Sequence, residues 1–125
     1  LVAQFDGYEA LPGVPVNGRL TLGENIADLG GVTLAFRALQ RVLRGDEVPV
    51  DGLTPQQRFF LANATIWRSH TSEELARTLA QTDPHSPRRL RVVGPFSNLD
   101  AFAAAFGLDD DAPVMRPPAQ RLEIW

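Results

Sequence analysis

Two acidic side chains, Glu24 and Asp28, lie four residues apart in the segment TLGENIADLGG (21–31). If this segment is a helix, residues four apart share one face, so both carboxylates point the same way. Apolar neighbours such as Ile26 and Leu29 indicate a partly buried helix, where an unpartnered carboxylate is costly. A metal ion or a histidine cluster would supply the positive partner. Glu24 would then give an oxygen to the metal, and Asp28 would orient a neighbouring ligand.

The same segment also fits a structural role without chemistry. Glu24 follows Thr21 at the spacing of a capping box, and a carboxylate in the first turn favours the helix dipole. Asp28 can pair with any of the arginines. The glycine pair Gly30 and Gly31 costs roughly 1 kcal/mol per residue relative to alanine inside a helix, which predicts close approach of another backbone or helix. Both interpretations stay open on these residues alone.

A second set of polar residues lies in the segment DPHSPRRLR (83–91). His85 stands between two prolines, whose rigidity would hold the imidazole with little loss of entropy. Arg91 follows at the end of the segment, and the two side chains could together bind a carbonyl oxygen and a developing oxyanion. The alternative is that His85 caps a turn and Arg91 makes a surface ion pair. His70 is interpreted as a surface or helix-capping residue.

The composition limits the classes of site that the chain can build. Its 125 residues, of which 44% are hydrophobic, suffice for one domain with a core. The net charge of -3 gives no electrostatic reason to expect a nucleic acid partner. The absence of cysteine excludes disulfides and thiolate ligands, but it leaves the compartment open. A catalytic zinc usually has three protein ligands, and two histidines without an H-E-x-x-H motif do not complete such a site.

Periodicity, caps and turn residues predict a mainly α-helical fold with about four helices, one short strand and a long proline-rich C-terminal tail. Residues 1–20 contain many glycines and prolines and are interpreted as an extended lead-in. The first helix, within 21–44, carries both acids. The region 54–107 holds the other helices and the His-Ser-Pro loop, and 108–125 is the tail. The sequence does not begin with Met, and we expect it to be part of a longer protein.

Local signals within 54–107 predict where each element begins and ends. Two capping boxes, Thr54 with Gln57 and Thr71 with Glu74, open the second and third helices. The run LRVVG (90–94) is predicted as the short strand because Gly94 and Pro95 bound it. The last helix is predicted to begin after a cap at Ser97 or Asn98 and to end at Gly107.

The segment VNGRLTLGENIADLGGVTLAFRAL, followed downstream by D-P-H-S-P, resembles the neprilysin family of zinc metalloendopeptidases, including bacterial oligopeptidases of the O type. The likeness continues in LTPQQRFFLANATIW and TDPHSPRRLRVVGPFSNLDAFAAAFG and covers essentially the whole chain. The resemblance is to the C-terminal part of a single catalytic domain of gluzincin (thermolysin-like) fold. Animal members have cysteine at the positions of Arg68 and Leu122, so the resemblance implies a bacterial member without those disulfides.

The resemblance implies a role for each residue that matches the family's motifs. Glu24 matches the third zinc ligand, and Asp28 matches the carboxylate that orients a zinc-bound histidine. His85 matches the histidine that stabilises the tetrahedral oxyanion. Arg91 matches the arginine that holds a substrate backbone carbonyl.

The resemblance also implies a substrate pocket and further active-site segments that are not in this sequence. Ile66 and Trp67 match an apolar wall near the S1′ pocket, which implies cleavage of small peptides on the amino side of hydrophobic residues. The H-E-x-x-H helix and the N-A-x-Y segment lie upstream in the family and are absent from this sequence. We therefore expect one zinc ion in the complete enzyme, no activity of this chain alone, and exposed apolar surface that makes it self-associate. The alternative function is a non-catalytic helical module that binds peptides or partners. Bacterial cytoplasm and secretion both stay open.

Overall fold

The computed structural model describes residues 1–45 and 47–124 and is mainly helical, which confirms the fold class expected from the sequence. The two strands pair antiparallel, with Leu11 opposite Val14. No helix in these two ranges is both long and apolar enough to cross a membrane. In chain order the elements are α1 (Val2–Asp6), β1 (Glu9–Leu11), β2 (Val14–Pro15), α2 (Leu22–Leu43), α3 (Pro55–Ile66), α4 (Glu73–Thr82), α5 (Leu90–Phe96), α6 (Asp100–Phe106) and a 3₁₀ turn (Pro118–Gln120).

Residues 1–20 are folded, so the prediction of an extended lead-in was wrong. They form α1 and the hairpin of β1 and β2, with Gly13 in the left-handed region at the turn. Phe5 and Val16 are buried together with Leu90 of α5 in a small apolar core. The glycines and prolines correctly indicated turns in this segment. The sequence did not reveal helix α1, because α1 is stabilised by contact with α5, which is far away in the sequence.

The segment 90–94, predicted as a strand, is part of helix α5. A short apolar run is compatible with either a buried strand or a buried helix, and periodicity alone does not separate them. Leu90, Gly94 and Phe96 are buried, and Gly94 lies so close to the ring of Phe5 that a side chain there would overlap it. The helix packs along α2, and this places Arg91 opposite the acids of α2.

The predicted caps of α3 and α4 differ in outcome. The capping box of Thr54 and Gln57 is present, with both reciprocal hydrogen bonds, and this prediction is confirmed. The α4 helix begins one residue later than predicted. Its N-cap is Ser72, whose hydroxyl accepts from the backbone N–H of Leu75, and not Thr71.

Three other predicted caps have different partners in the structure. Thr21 precedes α2, but its hydroxyl donates to the carbonyl of Asn17 and does not cap the helix. Ser97 and Asn98 do not cap α6, because their side chains bond to other buried groups. The predicted end of α6 is confirmed, since Gly107 adopts the left-handed conformation there.

An aromatic cluster holds the long helix α2 against α3, α5 and α6. Its centre is Phe60, which is almost fully buried. Such rings pack edge to face or offset, and each pair adds about 0.5–1.5 kcal/mol beyond the buried area. The cluster thereby sets the position of α2 relative to α5. The rings within 6.4 Å of Phe60, centroid to centroid, are Phe36, Phe59, Phe96, Phe102 and Phe106.

Candidate active site

The residues singled out from the sequence converge where α2, the end of α3, the start of α5 and the histidine loop (residues 83–89) meet. Glu24 and Asp28 lie on one face of α2, as their spacing predicted. Arg91 of α5 contacts both carboxylates, and His85 of the loop contacts Glu24. The convergence depends on the packing of α5 on α2, which the sequence alone did not predict.

Arg91 and Asp28 form a two-pronged ion pair. Nε of Arg91 donates to Oδ2 of Asp28 at 2.7 Å and Nη2 donates to Oδ1 at 2.8 Å. The pair is largely buried, since each side chain is 13% exposed. The hydrogen bond to Asp28 raises the pKa of Arg91 above its ordinary value, against the opposing effect of burial. The guanidinium also lies 4.0 Å from the ring centre of Trp67, a cation–π contact.

Carboxylates flank both ring nitrogens of His85. Nδ1 lies 2.7 Å from Oδ1 of Asp83, and the backbone N–H of His85 donates to the same oxygen at 2.9 Å. These two hydrogen bonds hold the pKa of Asp83 below its usual range. Nε2 lies 3.3 Å from Oε2 of Glu24. When Nδ1 carries the proton that it donates to Asp83, the ring plane is set and Nε2 is the nitrogen that faces Glu24.

A cleft of about 550 Å³ opens beside the histidine loop and is lined by His85, Arg91, Trp67 and Leu79 of α4, among others. Ile66, expected on the same apolar wall, is not among the lining residues and is 68% exposed. A larger cavity of about 770 Å³ lies between α2, α6 and the tail, away from these groups.

Glu24 fits one ligand position of a zinc site. Its side chain is 38% exposed, and the contacts to His85 and Arg91 both use Oε2. Oε1 makes no hydrogen bond within the described residues, so it can serve as a metal ligand. In the same part of the chain, no three side chains of histidine, aspartate or glutamate are grouped to hold a metal. The donor set therefore suits one carboxylate ligand and does not form a complete site.

Sequence reasoning missed three residues that shape the site. Asp83 accepts the backbone N–H two residues ahead, an Asx turn for which the Asp-Pro-His order was a usable signal. Asn25 and Ser86 bond to each other in the interior, next to Glu24 and His85 in the sequence. Nothing local marks that pair, because 61 positions separate its members.

Comparison with known proteins identifies the family. The model of Peptidase family M13 matches residues 1–122. The chain belongs to peptidase family M13. Human Endothelin-converting enzyme 1 is 43% identical to this M13 chain over 129 residues, and Neutral endopeptidase of Lactococcus lactis is 39% identical over 125 residues. Each match covers all of this chain but only 16% and 18% of those relatives, respectively.

A solved M13-like structure shares the fold of the whole chain. The zinc metalloprotease Zmp1 of Mycobacterium tuberculosis, determined in complex with an inhibitor, superimposes with a TM-score of 0.93 at 38% identity. The match covers 100% of this chain and 20% of Zmp1. The resemblance to the neprilysin family, predicted from the motifs, is thereby confirmed.

Proposed function

We propose that the chain is the C-terminal portion of the catalytic domain of a zinc-dependent endopeptidase and supplies one wall of its active site. The observation that carries the proposal is the contact of Glu24 with both His85 and Arg91, two residues that line one cleft, in a chain of family M13. The chain spans at most a fifth of the matched relatives, so the other ligands and the general base would come from sequence outside it.

In this proposal Glu24 gives a carboxylate oxygen to the zinc ion. The side chain of Glu24 is 38% exposed, so it is accessible to a metal ion held jointly with a second part of the domain. When bound, zinc supplies a water of lowered pKa and polarises the peptide carbonyl. Asp28 positions groups around it: both oxygens hold Arg91 here, and each keeps a lone pair that can accept the N–H of a zinc-bound histidine from outside this chain.

His85 and Arg91 would act on the substrate. Asp83 fixes the imidazole of His85 and orients Nε2 towards the site. The imidazolium form, with a proton on each ring nitrogen, would donate Nε2–H to the oxyanion that develops as the peptide bond is attacked. In Arg91, Nε and Nη2 are engaged by the α2 acids, while Nη1 makes no hydrogen bond within the described residues. Nη1 is therefore the nitrogen that would bind a backbone carbonyl of the substrate.

The lining of the cleft favours small peptides as substrates, with an apolar residue directly after the cleaved bond. Trp67 and Leu79 give it an apolar wall beside His85 and Arg91. We place Trp67 in this wall and leave Ile66 out, because its side chain lies outside the cleft lining. The preference would come from burial of the substrate side chain, about 25 cal/mol for each Å² of apolar surface.

Two substitutions in the complete enzyme test the proposal. Glu24→Val is expected to abolish stoichiometric zinc binding, while Glu74→Val on the exposed face of α4 leaves it intact. His85→Phe is expected to lower kcat roughly 10²–10³-fold with zinc retained, the cost of losing one oxyanion donor. Full zinc content in the Glu24 variant, or normal turnover in the His85 variant, would refute the assigned roles. A complete protein without H-E-x-x-H would favour the non-catalytic peptide-binding alternative.

A further inference from the structure

A second contact between α2 and the histidine loop lies directly beneath the contact of Glu24 with His85. Ser86 Oγ donates to Oδ1 of Asn25 at 2.7 Å. Asn25 is 1% exposed and Ser86 is 3% exposed, so the hydrogen bond is shielded from water. Asn25 follows Glu24, and Ser86 follows His85. The two segments are therefore joined by an inner polar contact and an outer one.

The inner contact is held from behind by further hydrogen bonds. Nδ2 of Asn25 donates to Oγ1 of Thr21 at 2.9 Å, and Thr21 in turn donates to the carbonyl of Asn17 at 3.1 Å. Every donor in this series has one acceptor, which sets the direction of the Asn25 amide and leaves Oδ1 facing Ser86. The series connects the start of α2 to the histidine loop, and each polar side chain in it is held by a hydrogen bond.

The outer contact by itself cannot hold the loop in place. His85 is 46% exposed and Glu24 is 38% exposed, and the two atoms are 3.3 Å apart. Ion pairs in contact with water contribute little, typically 0–1 kcal/mol. A buried hydrogen bond is stronger in its low-dielectric surroundings, and breaking it leaves an unsatisfied polar group that costs about 1–3 kcal/mol. The buried bond therefore sets the spacing that the exposed pair adopts.

We propose that Asn25 and Ser86 are positioning residues that hold the imidazole of His85 against the Glu24 edge of the site. They do not touch substrate, and they act through the neighbouring residues. This inference rests on the proposed function, because it assigns the reason why His85 is where oxyanion stabilisation requires it. A displacement of about 1 Å from a productive geometry can cost 10²-fold in rate.

A pair of variants of equal shape isolates the hydroxyl of Ser86. Ser86→Thr keeps Oγ, and Ser86→Val replaces it by a methyl group of similar size. In the complete enzyme we expect kcat of the valine variant to be about tenfold below that of the threonine variant, with KM within about twofold and zinc content unchanged. Equal kcat in the two variants would overturn the proposal, since both carry the same added methyl group.

A control serine separates positioning from general stability. Ser97 is also buried and donates to the carbonyl of Gly94, far from the histidine loop. Ser97→Ala and Ser86→Ala should lower the unfolding temperature by comparable amounts, but only Ser86→Ala should lower kcat. If both variants lost kcat, the loss in Ser86→Ala would be explained by lower stability alone, and the positioning role would be refuted. If His85→Phe retains normal turnover, the proposed function itself fails; if His85→Phe is impaired and Ser86→Val matches Ser86→Thr, only the positioning role fails.

Discussion

The guanidinium of Arg91 connects three parts of the candidate site. It binds both oxygens of Asp28, approaches Glu24 at 3.4 Å and stacks on Trp67. Only a planar, forked donor makes two parallel hydrogen bonds and a ring contact at the same time. A lysine would keep the charge but would form one of these bonds at most. The identity of this residue, and not merely its charge, therefore holds α5 against α2.

Arg91→Lys is expected to destabilise the chain by about 1–3 kcal/mol, because one carboxylate oxygen of the buried pair loses its donor. The matched control is Arg37→Lys, since Arg37 forms a surface ion pair with Glu123 in which both side chains are at least half exposed. That change should stay within about 0.5 kcal/mol. Urea unfolding at low protein concentration measures both free energies. Equal losses of unfolding free energy at the two arginines would show that the buried ion pair stabilises the chain no more than the surface pair does.

The helix α2 presents two faces of different character. Its inner face packs Leu29 and Val32 into the core and sends Asn25 to Ser86. Its outer face carries Ala27, Gly31 and Leu34, which are all exposed. Gly30 is buried, but a Cβ at Gly31 would meet open space, so at Gly31 the close neighbour predicted from the glycine pair is not found in the described part of the chain. We infer that a segment outside this sequence packs there in the complete domain.

Gly31→Ala should therefore have opposite effects in two contexts. In this chain alone it should raise the free energy of unfolding by about 0.5–1 kcal/mol, the helix propensity difference. In the complete enzyme it should lower the unfolding temperature, because the methyl group would enter a packed contact. Gly94→Ala is the control, since overlap with the ring of Phe5 should destabilise this chain by about 1–3 kcal/mol. A stabilising effect of Gly31→Ala in both contexts would argue against a partner segment on this face.

At the scale of the molecule, large apolar side chains remain in contact with solvent. Leu34 and Val42 of α2, Val48 and Ile66 are each more than half exposed. Large exposed apolar patches on a protein mark interaction sites or a tendency to associate. The chain spans 16–20% of the matched relatives, and in the proposed complete enzyme we expect sequence outside this chain to cover these side chains.

We predict that the chain alone cleaves no peptide and self-associates as its concentration rises. Val42→Glu should shift the scattering mass towards the monomer, because the charge would be buried in an apolar contact. Gln40→Glu is the control, since it adds the same charge at a polar position of the same helix. A monomeric mass at high concentration for the unchanged chain, or equal effects of the two substitutions, would contradict self-association through this face.

Local sequence signals determined the long helices, the Thr54 capping box, the Gly107 stop and the motif that identifies the family. The helices, the capping box and the stop depend on residues within about one or two helical turns, while the motif is recognised from residue types along the chain without any knowledge of their contacts. The sequence also identified the candidate site residues, which are Glu24, Asp28, His85 and Arg91.

Only the tertiary structure decided how those residues pair and that 90–94 is helical. The hydrogen bonds between Arg91 and Asp28 join residues 63 positions apart in the sequence, and the bond between Asn25 and Ser86 joins residues 61 positions apart. The helical state of α5 depends on burial of Leu90 and Gly94 against Phe5 of α1, near the other end of the chain. An apolar run of a few residues has similar local energy as strand or helix, so the contact made after folding decides between them.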